Sequence, residues 1–230
     1  MTDKIPVITI DGPVGAGKGA IAQRLAQRLG FHLLDSGALY RVLAVAAANE
    51  GIPDSDAAAL GTLAGKLVVR FEPSGDSDEP LDVLLDGDSV TQAIRTNETA
   101  EMASRISPLA EVRTGLRDLQ RSFRRSPGLV ADGRDMGTVV FTDAELKIYL
   151  TASAEIRAER RYKQLKHKDI GVSLHALLDS IRERDKRDMQ RAVAPLRPAD
   201  DALTLDSTDL DIDAVLVKVM NLVRQRGISD

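Results

Sequence analysis

The stretch VITIDGPVGAGKGA, residues 7–20, joins a short apolar segment to a glycine-rich loop that contains a single lysine. A strand, a loop and a helix in this order place backbone N–H groups at the positive end of the helix, where phosphate binds well. The spacing over residues 12–18 is that of a phosphate-binding loop, in which Lys18 would neutralise the outer phosphates. Such loops usually continue with a Ser or Thr that binds Mg²⁺, whereas Gly19 and Ala20 follow here. A glycine-rich turn without function is the alternative.

Alternating strand and helix patterns continue along the chain after this loop. The pattern predicts one helix over residues 18–29, ended by Gly30, and a second over residues 36–49 after a strand in FHLLD. Further strands are predicted in GLVAD (128–132), LKIYL (146–150) and ALTLD (202–206). This alternation predicts an α/β fold with a mainly parallel sheet that is covered on both faces.

Residues 66–95 interrupt the alternation. The segments KLVVRFEP and LDVLLDG have the pattern of antiparallel strands joined by the polar loop SGDSDE. They indicate a small insertion, which either contributes to function or is decoration. Beyond it, one helix is predicted over residues 99–125.

Composition limits the classes of function that remain. The 230 residues are 43% hydrophobic and 29% charged, with a formal net charge of −4 and no cysteine. Without cysteine the chain has no disulfide, thiolate metal site or cysteine nucleophile, and the negative charge argues against a general nucleic-acid binder. The sequence has neither an apolar run of about 18 residues nor an export signal. We therefore expect a cytoplasmic protein with no nucleic-acid partner and no membrane partner.

Asp132 ends the predicted strand GLVAD. An acid at such a strand end, facing a phosphate loop, commonly orients the water shell of Mg²⁺. An ordinary turn or capping aspartate is the alternative. If Mg²⁺ is held by the nucleotide, by water and by Asp132, a hydroxyl group at position 19 is dispensable.

Arg157, Arg160 and Arg161 stand at i, i+3 and i+4 and so share one face of a predicted helix. They are suited to binding phosphate. Because Glu155 and Glu159 lie on the same helix, a solvated helix with salt bridges is the alternative.

The segment 173–191 has an apolar stripe whose face continues into Arg184, Asp188 and Arg191. Charges on a face that should contact the protein require partners. A bound nucleotide would supply them, and an internal network of ion pairs is the alternative.

Five motifs, GPVGAGKG, HLLDSGALYR, ADGRDMGTVVF, ERDKRDMQRAVAPL and ALTLDST, together and in this order resemble the bacterial cytidylate kinases, P-loop proteins of the nucleoside monophosphate kinase group. The resemblance extends from residue 7 to about residue 208. It implies a single domain over residues 1–230, with a P-loop kinase core built on a five-stranded parallel sheet, an inserted monophosphate-binding region at about 36–103 and a helical lid at about 155–170. It also implies a monomeric, Mg²⁺-dependent phosphotransferase that converts ATP and CMP or dCMP to ADP and CDP or dCDP.

The resemblance also implies roles for individual residues. ATP would be bound by the loop residues Gly12, Pro13, Val14, Gly15, Ala16, Gly17, Lys18, Gly19 and Ala20. The catalytic residues would be Lys18, Arg134, Arg157, Arg160 and Arg161. The substrate would be bound at its phosphate by Ser36, Arg41, Arg134 and Arg191, at its ribose by Arg184 and Asp188, and at cytosine by Ser104, Arg113 and Asp135. Asp132 would hold Mg²⁺ through water.

Two other functions remain open at this point. The chain could be another small-molecule P-loop kinase, acting on UMP or on a non-nucleotide acceptor. It could also be a catalytically weak nucleotide-binding module, for which the GKGA ending of the loop is the clearest support. A panel of acceptor substrates separates these possibilities.

Overall fold

A computed structural model describes residues 4–74, 81–166, 171 and 173–228. The chain divides into two compact units. Residues Met1–Leu33 and Arg125–Asp230 form one, here named the sheet unit, and Leu34–Arg124 form the other, named the helical unit.

The strands and helices follow one another in the order that the sequence predicts, with additions in the helical unit. The strands are β1 (Val7–Asp11), β2 (His32–Asp35), β3 (Val69–Pro73), β4 (Leu81–Leu85), β5 (Asp88–Ser89), β6 (Leu129–Gly133), β7 (Leu146–Thr151) and β8 (Leu203–Asp206). The helices are α1 (Lys18–Leu29), α2 (Ser36–Asn49), α3 (Ala57–Ala64), α4 (Asn97–Ile106), α5 (Ala110–Ser122), α6 (Ala154–Lys166), α7 (Leu174–Met189) and α8 (Ile212–Gln225). A single π-helical turn, Met136–Val140, follows β6.

The larger sheet has five strands in the order β2-β6-β1-β7-β8, and its strands β6, β1, β7 and β8 lie in the sheet unit. Its pairs β1–β6, β1–β7 and β7–β8 are parallel. Parallel strands end at one edge of a sheet, so the segments that follow β1, β6, β7 and β8 lie at a common edge. The predicted α/β class and five-stranded parallel core are confirmed.

The apolar strands of this sheet are buried on both faces. Ile8 and Ile10 of β1 are fully buried and pack in one cluster with Ile21 and Leu25 of α1 and Val219 of α8. Parallel strands that are covered on both sides read as nearly continuous apolar runs, which is why GLVAD and LKIYL were recognisable. This apolar cluster fixes the ends of the strands, and therefore also the loops that follow them.

Local signals place the first two helices where the sequence predicts them. The helix α1 ends at Gly30, whose left-handed backbone (φ 66°) terminates it. The helix α2 starts after Asp35, whose side chain accepts a hydrogen bond from the Ala38 N–H at 2.9 Å. Both helices have the predicted bounds, residues 18–29 and 36–49.

The helical unit contains α2 to α5 and a three-stranded sheet with the order β3-β4-β5. The predicted antiparallel pairing of β3 with β4 is confirmed. The helix α3 and the strand β5 were not predicted, because one is short and the other has two residues. Residues 75–79 of the predicted loop SGDSDE lie outside the described residues.

The single helix predicted over residues 99–125 is wrong. The structure has two helices there, α4 and α5, separated at Ser107-Pro108-Leu109. Proline has no N–H to donate and its ring collides with the preceding turn, so α4 ends before Pro108. A new helix then begins after Leu109.

The helix α6 covers the first part of the predicted lid at about 155–170. Residues 167–170 lie outside the described residues. Among the described helices, none is both long and apolar enough to cross a membrane.

Candidate active site

The phosphate loop connects β1 to α1 and approaches the backbone of β7 closely. A Cβ atom at Gly12 would lie 2.0 Å from the carbonyl oxygen of Leu150, so only glycine fits there. Lys18 is the first residue of α1, and its buried ammonium donates to the carbonyl of Pro13 at 2.9 Å. The ammonium group of Lys18 is therefore held inside the predicted phosphate loop.

Gly19 lies next to the carboxylate of Asp132. A Cβ atom at position 19 would be 3.4 Å from Asp132 Oδ2, which is ordinary van der Waals contact. The acid near the end of β6 thus lies beside the position from which a Ser or Thr side chain would project in the more usual loop. The structure brings the two predicted features together, the helix start and the buried carboxylate.

The described residues contain no group of three or more His, Asp or Glu side chains able to hold a metal ion. Mg²⁺ commonly keeps several waters and binds through one or two carboxylates plus substrate phosphates. A single carboxylate beside a phosphate loop fits that mode of binding. Asp132 is the residue that fits it here.

Arg157 of α6 is buried and joins three segments of the sheet unit. Its Nε donates to the carbonyl of Ala152 at 2.9 Å, and its Nη1 donates to the carbonyl of Val14 in the phosphate loop at 3.1 Å. Nη1 and Nη2 also donate to the two carboxylate oxygens of Asp185 on α7, at 3.0 and 2.6 Å. The guanidinium group thus connects the phosphate loop to α7.

The three arginines predicted to share a face of this helix have different environments. Arg160 is half-buried, and its Nη1 and Nη2 donate to Ser207 Oγ and to the Ser207 and Leu210 carbonyls at 2.5–3.1 Å. Ser207 also donates to the carbonyl of Ala16 at 3.4 Å. Arg161 is exposed. The partners of Arg157 and Arg160 lie outside α6, unlike those of the salt-bridged helix that was the alternative.

Asp188 of α7 is buried between two of the predicted substrate-binding arginines. Its Oδ2 accepts from Arg134 Nε at 3.0 Å, and its Oδ1 accepts from Arg191. Arg184, on the same helix, is half-buried. An internal network of ion pairs, which the sequence left open for this face, is present in the structure.

Asp11, the last residue of β1, is bound to the turn that follows β6. Its two carboxylate oxygens accept from the N–H groups of Met136 and Gly137, each at 2.8 Å. Burial raises the pKa of this carboxyl to about 6, and the charge of Asp135 also raises it, although the two amides and Lys18 oppose the rise. Asp135 itself is buried.

Four predicted substrate-binding residues belong to the helical unit. Ser36 is buried, and its hydroxyl accepts from Gln120 Nε2 at 3.0 Å. Arg41 donates to the Ile94 carbonyl at 3.5 Å, and Ser104 is half-buried.

The fourth of these residues, Arg113, is buried, although on sequence alone it has the pattern of a surface residue. Its Nη1 donates to Tyr40 Oη at 3.2 Å and to the Ser107 carbonyl at 3.3 Å. The guanidinium group is therefore oriented by both a side chain and the backbone.

Sequence reasoning missed Asp11, Asp185 and Ser207. Asp185 stands four residues after the buried Ile181, so helical spacing alone would have placed it on the inner face of α7. Ser207 directly follows β8, and Asp132 is the second-last residue of β6. A position at the end of a sheet strand could therefore have identified Ser207 as a candidate site residue. Asp11 had only its place before the loop to distinguish it.

Comparison with known proteins adds an independent observation. The family model described as cytidylate kinase matches residues 8–225. A cytidylate kinase from Pseudomonas fluorescens is 56% identical over 229 residues, 100% of each chain. A cytidylate kinase from Pseudomonas paraeruginosa is 55% identical over 227 residues, 99% of each chain. Among solved structures, shikimate kinase from Acinetobacter baumannii is 15% identical with a TM-score of 0.48, and the match covers 99% of this chain and 97% of that one.

Proposed function

The chain belongs to the cytidylate kinase family, and from this premise we propose that it transfers the γ-phosphoryl group of ATP to CMP or dCMP, giving ADP and CDP or dCDP. The observation that carries the proposal is the phosphate loop with its buried Lys18, which lies in a chain that the family model matches over residues 8–225. Membership makes the chain a phosphotransferase. The acceptor and the metal are the proposed part.

Direct phosphoryl transfer to a nucleotide makes little demand for a general base. The acceptor is a phosphate oxygen that is already ionised near neutral pH. Catalysis then consists of alignment and of stabilising negative charge on the transferring group. The loop amides and Lys18 would hold the phosphates of ATP, and Arg134 with the lid residues Arg157, Arg160 and Arg161 would stabilise the charge.

Asp132 is the residue proposed to hold Mg²⁺ through water. The ion would supply positive charge to the phosphate oxygens, and because the nucleotide, water and Asp132 would hold it, a hydroxyl group at position 19 would be dispensable. The position of the Asp132 carboxylate beside Gly19, at the start of α1, supports this assignment. Removal of divalent cations by EDTA should abolish turnover, and added Mg²⁺ should restore it.

Recognition of cytosine is assigned to Ser104, Arg113 and Asp135. Cytosine offers N3 and O2 as acceptors and its amino group as a donor, so an arginine can donate to it and an aspartate can accept from it. Uracil reverses the polarity at N3 and at position 4. Asp135 would then face an acceptor, and sites that leave buried polar groups unpaired discriminate strongly.

The remaining acceptor contacts follow the family pattern. Ser36, Arg41, Arg134 and Arg191 are proposed to bind the phosphate, and Arg184 and Asp188 the ribose. The shared partner Asp188 places the guanidinium groups of Arg134 and Arg191 close together, which is compatible with one phosphate between them. We further expect a monomer that acts in the cytoplasm without a nucleic-acid or membrane partner.

A substrate panel tests the proposal. ADP release is measured with ATP, Mg²⁺ and each of CMP, dCMP, UMP and AMP. CMP and dCMP should give the highest kcat/KM. Equal or better use of UMP or AMP would refute the cytidine assignment, and ATP binding without turnover on any acceptor would favour a nucleotide-binding module.

A further inference from the structure

Asp11 is one of four buried acids among the described residues, with Asp132, Asp135 and Asp188, and it is the one to which the proposed chemistry gives no role. It is 5% exposed and stands directly before the phosphate loop. A buried carboxylate is costly unless its oxygens accept hydrogen bonds. Both oxygens do so here, from the backbone amides of Met136 and Gly137 at 2.8 Å. The acid thus binds to backbone, and specifically to the turn after β6.

Arg134 and Asp135 connect β6 directly to that turn, and the neighbours of the turn leave it little freedom. A Cβ atom at Gly133 would lie 2.7 Å from the Met136 side chain, which is fully buried. A Cβ atom at Gly137 would lie 2.9 Å from the hydroxyl of Thr9 and 3.1 Å from Lys147 Cδ. The turn is therefore packed directly against β1, and the two amides fix its position along the strand.

An amide side chain could not replace the carboxylate in this arrangement. Asparagine has one acceptor oxygen, and its NH₂ group would face the second backbone N–H as a donor. The neighbouring charge of Asp135 makes a second acid unfavourable at this place. The carboxylate at position 11 therefore supplies two backbone acceptors where asparagine would supply one.

We infer that Asp11 is a positioning residue for substrate recognition: by holding the Met136 and Gly137 amides it fixes the start of the turn that directly follows Asp135, and so determines where Asp135 meets the base and how well CMP is distinguished from UMP. The inference rests on the proposed role of Asp135 in reading cytosine. Asp11 thus links β1, which leads into the phosphate loop, with the turn that follows the proposed base-reading residue Asp135.

The variant Asp11→Asn tests this inference in the full-length enzyme. The preference for CMP over UMP, taken as the ratio of their kcat/KM values, should fall by about tenfold, because one of the two backbone hydrogen bonds is replaced by a contact between two donors. The KM for CMP should rise, while the KM for ATP should change less than about twofold. Thr9→Ala is the matched control: Thr9 lies on the same face of β1, its buried hydroxyl has no hydrogen-bond partner among the described residues, and the change places no larger atom against Gly137. Its CMP preference should not change.

If Asp11→Asn does not fold, Gly137→Ala alone and combined with Thr9→Ala test whether the position of the turn determines the CMP preference. Gly137→Ala would push the turn away from Thr9 without altering any charge, so it should reduce the CMP preference. Adding Thr9→Ala removes the hydroxyl that the new methyl group meets, and should restore much of that preference. Retention of the full preference in Gly137→Ala would overturn the inference.

The variant Asp135→Asn distinguishes failure of the inference about Asp11 from failure of the proposed role of Asp135 in reading the base. If Asp135→Asn reduces the CMP preference but a folded Asp11→Asn variant does not, the inference about Asp11 is wrong and the base-reading role stands. If Asp135→Asn leaves the preference unchanged, the proposed role of Asp135 fails, and the inference fails with it. Loss of preference in both variants, with Thr9→Ala unaffected, supports the inference.

Discussion

Arg157 and Asp185 form a bidentate ion pair between α6 and α7, with N–O distances of 3.0 and 2.6 Å. Their side chains are only 5% and 13% exposed. The same guanidinium group donates to the Val14 carbonyl of the phosphate loop. Because planar bidentate pairing fixes the orientation of an arginine, Asp185 orients the Arg157 guanidinium toward the Val14 carbonyl of that loop.

Replacing Asp185 by Asn should therefore affect both stability and ATP use. We expect the free energy of unfolding to fall by about 2 kcal/mol, since a buried guanidinium loses its charged partner. The kcat/KM for ATP should fall by roughly tenfold or more if Arg157 must be oriented to stabilise phosphoryl charge. Urea unfolding and steady-state kinetics measure the two effects.

The exposed pair between Arg182 and Glu155 joins the same two helices and gives a matched control. Both side chains are more than half exposed, so Glu155→Gln should leave activity unchanged and stability within about 1 kcal/mol. An Asp185→Asn enzyme that loses stability but keeps full activity would assign Arg157 a structural role alone.

Lys18→Ala should abolish turnover while the fold survives. The ammonium group is held in the loop by the Pro13 carbonyl, and its loss removes the positive charge proposed for the outer phosphates. We expect kcat to fall by about 10³-fold or more, with circular dichroism unchanged. Lys4→Ala removes an exposed lysine that pairs with Asp143 and Glu145 and should keep normal kinetics. Near-normal activity of Lys18→Ala would refute the phosphate role.

Ala20→Thr should lower the KM for ATP with little change in kcat. Ala20 lies in the first turn of α1, and a threonine there could donate its hydroxyl to a nucleotide phosphate. One such hydrogen bond contributes about 0.5–1.5 kcal/mol, which corresponds to roughly a two- to tenfold effect on binding. Ala20→Val has the shape of threonine without the hydroxyl and should not improve ATP binding. Equal KM values for both variants would mean that the loop amides suffice.

The stability of the enzyme should depend on pH through Asp11. Its folded-state pKa of about 6 lies above the ordinary value of 3.8, so the folded state favours the protonated form. The contribution of Asp11 to stability is then fully present below about pH 4 and is lost as the pH rises through about 6. The wild-type enzyme should lose roughly 2–3 kcal/mol relative to Asp11→Asn between pH 4 and pH 7.5. Urea unfolding at both pH values measures this difference, and a constant difference would contradict it.

Much of the fold follows from local pattern. The bounds of α1 and α2 agree with the prediction because Gly30 and Asp35 are strong helix-ending and helix-capping signals. The sheet strands were recognisable because burial on both faces requires continuous apolar residues. The helix α3 and the strand β5 are too short to give such a pattern.

The site was less predictable because its contacts join distant parts of the chain. Lys18 and Asp132 follow from a motif and a strand end, and the structure places Asp132 beside position 19. The partner of Arg157 lies 28 residues away, and the amides held by Asp11 lie 125 and 126 residues away. No local spacing encodes pairs of this kind, so Asp185 and Asp11 were not identified from sequence.

The proline that divides α4 from α5 does more than end a helix. In an uninterrupted helix the Ser107 carbonyl would accept from the N–H group of residue 111. The interruption frees that oxygen, and it accepts instead from the buried guanidinium of Arg113. A substitution such as Pro108→Ala, which lets the helix continue, would therefore withdraw a backbone acceptor from an arginine proposed to read the base, although residue 108 itself carries no polar group.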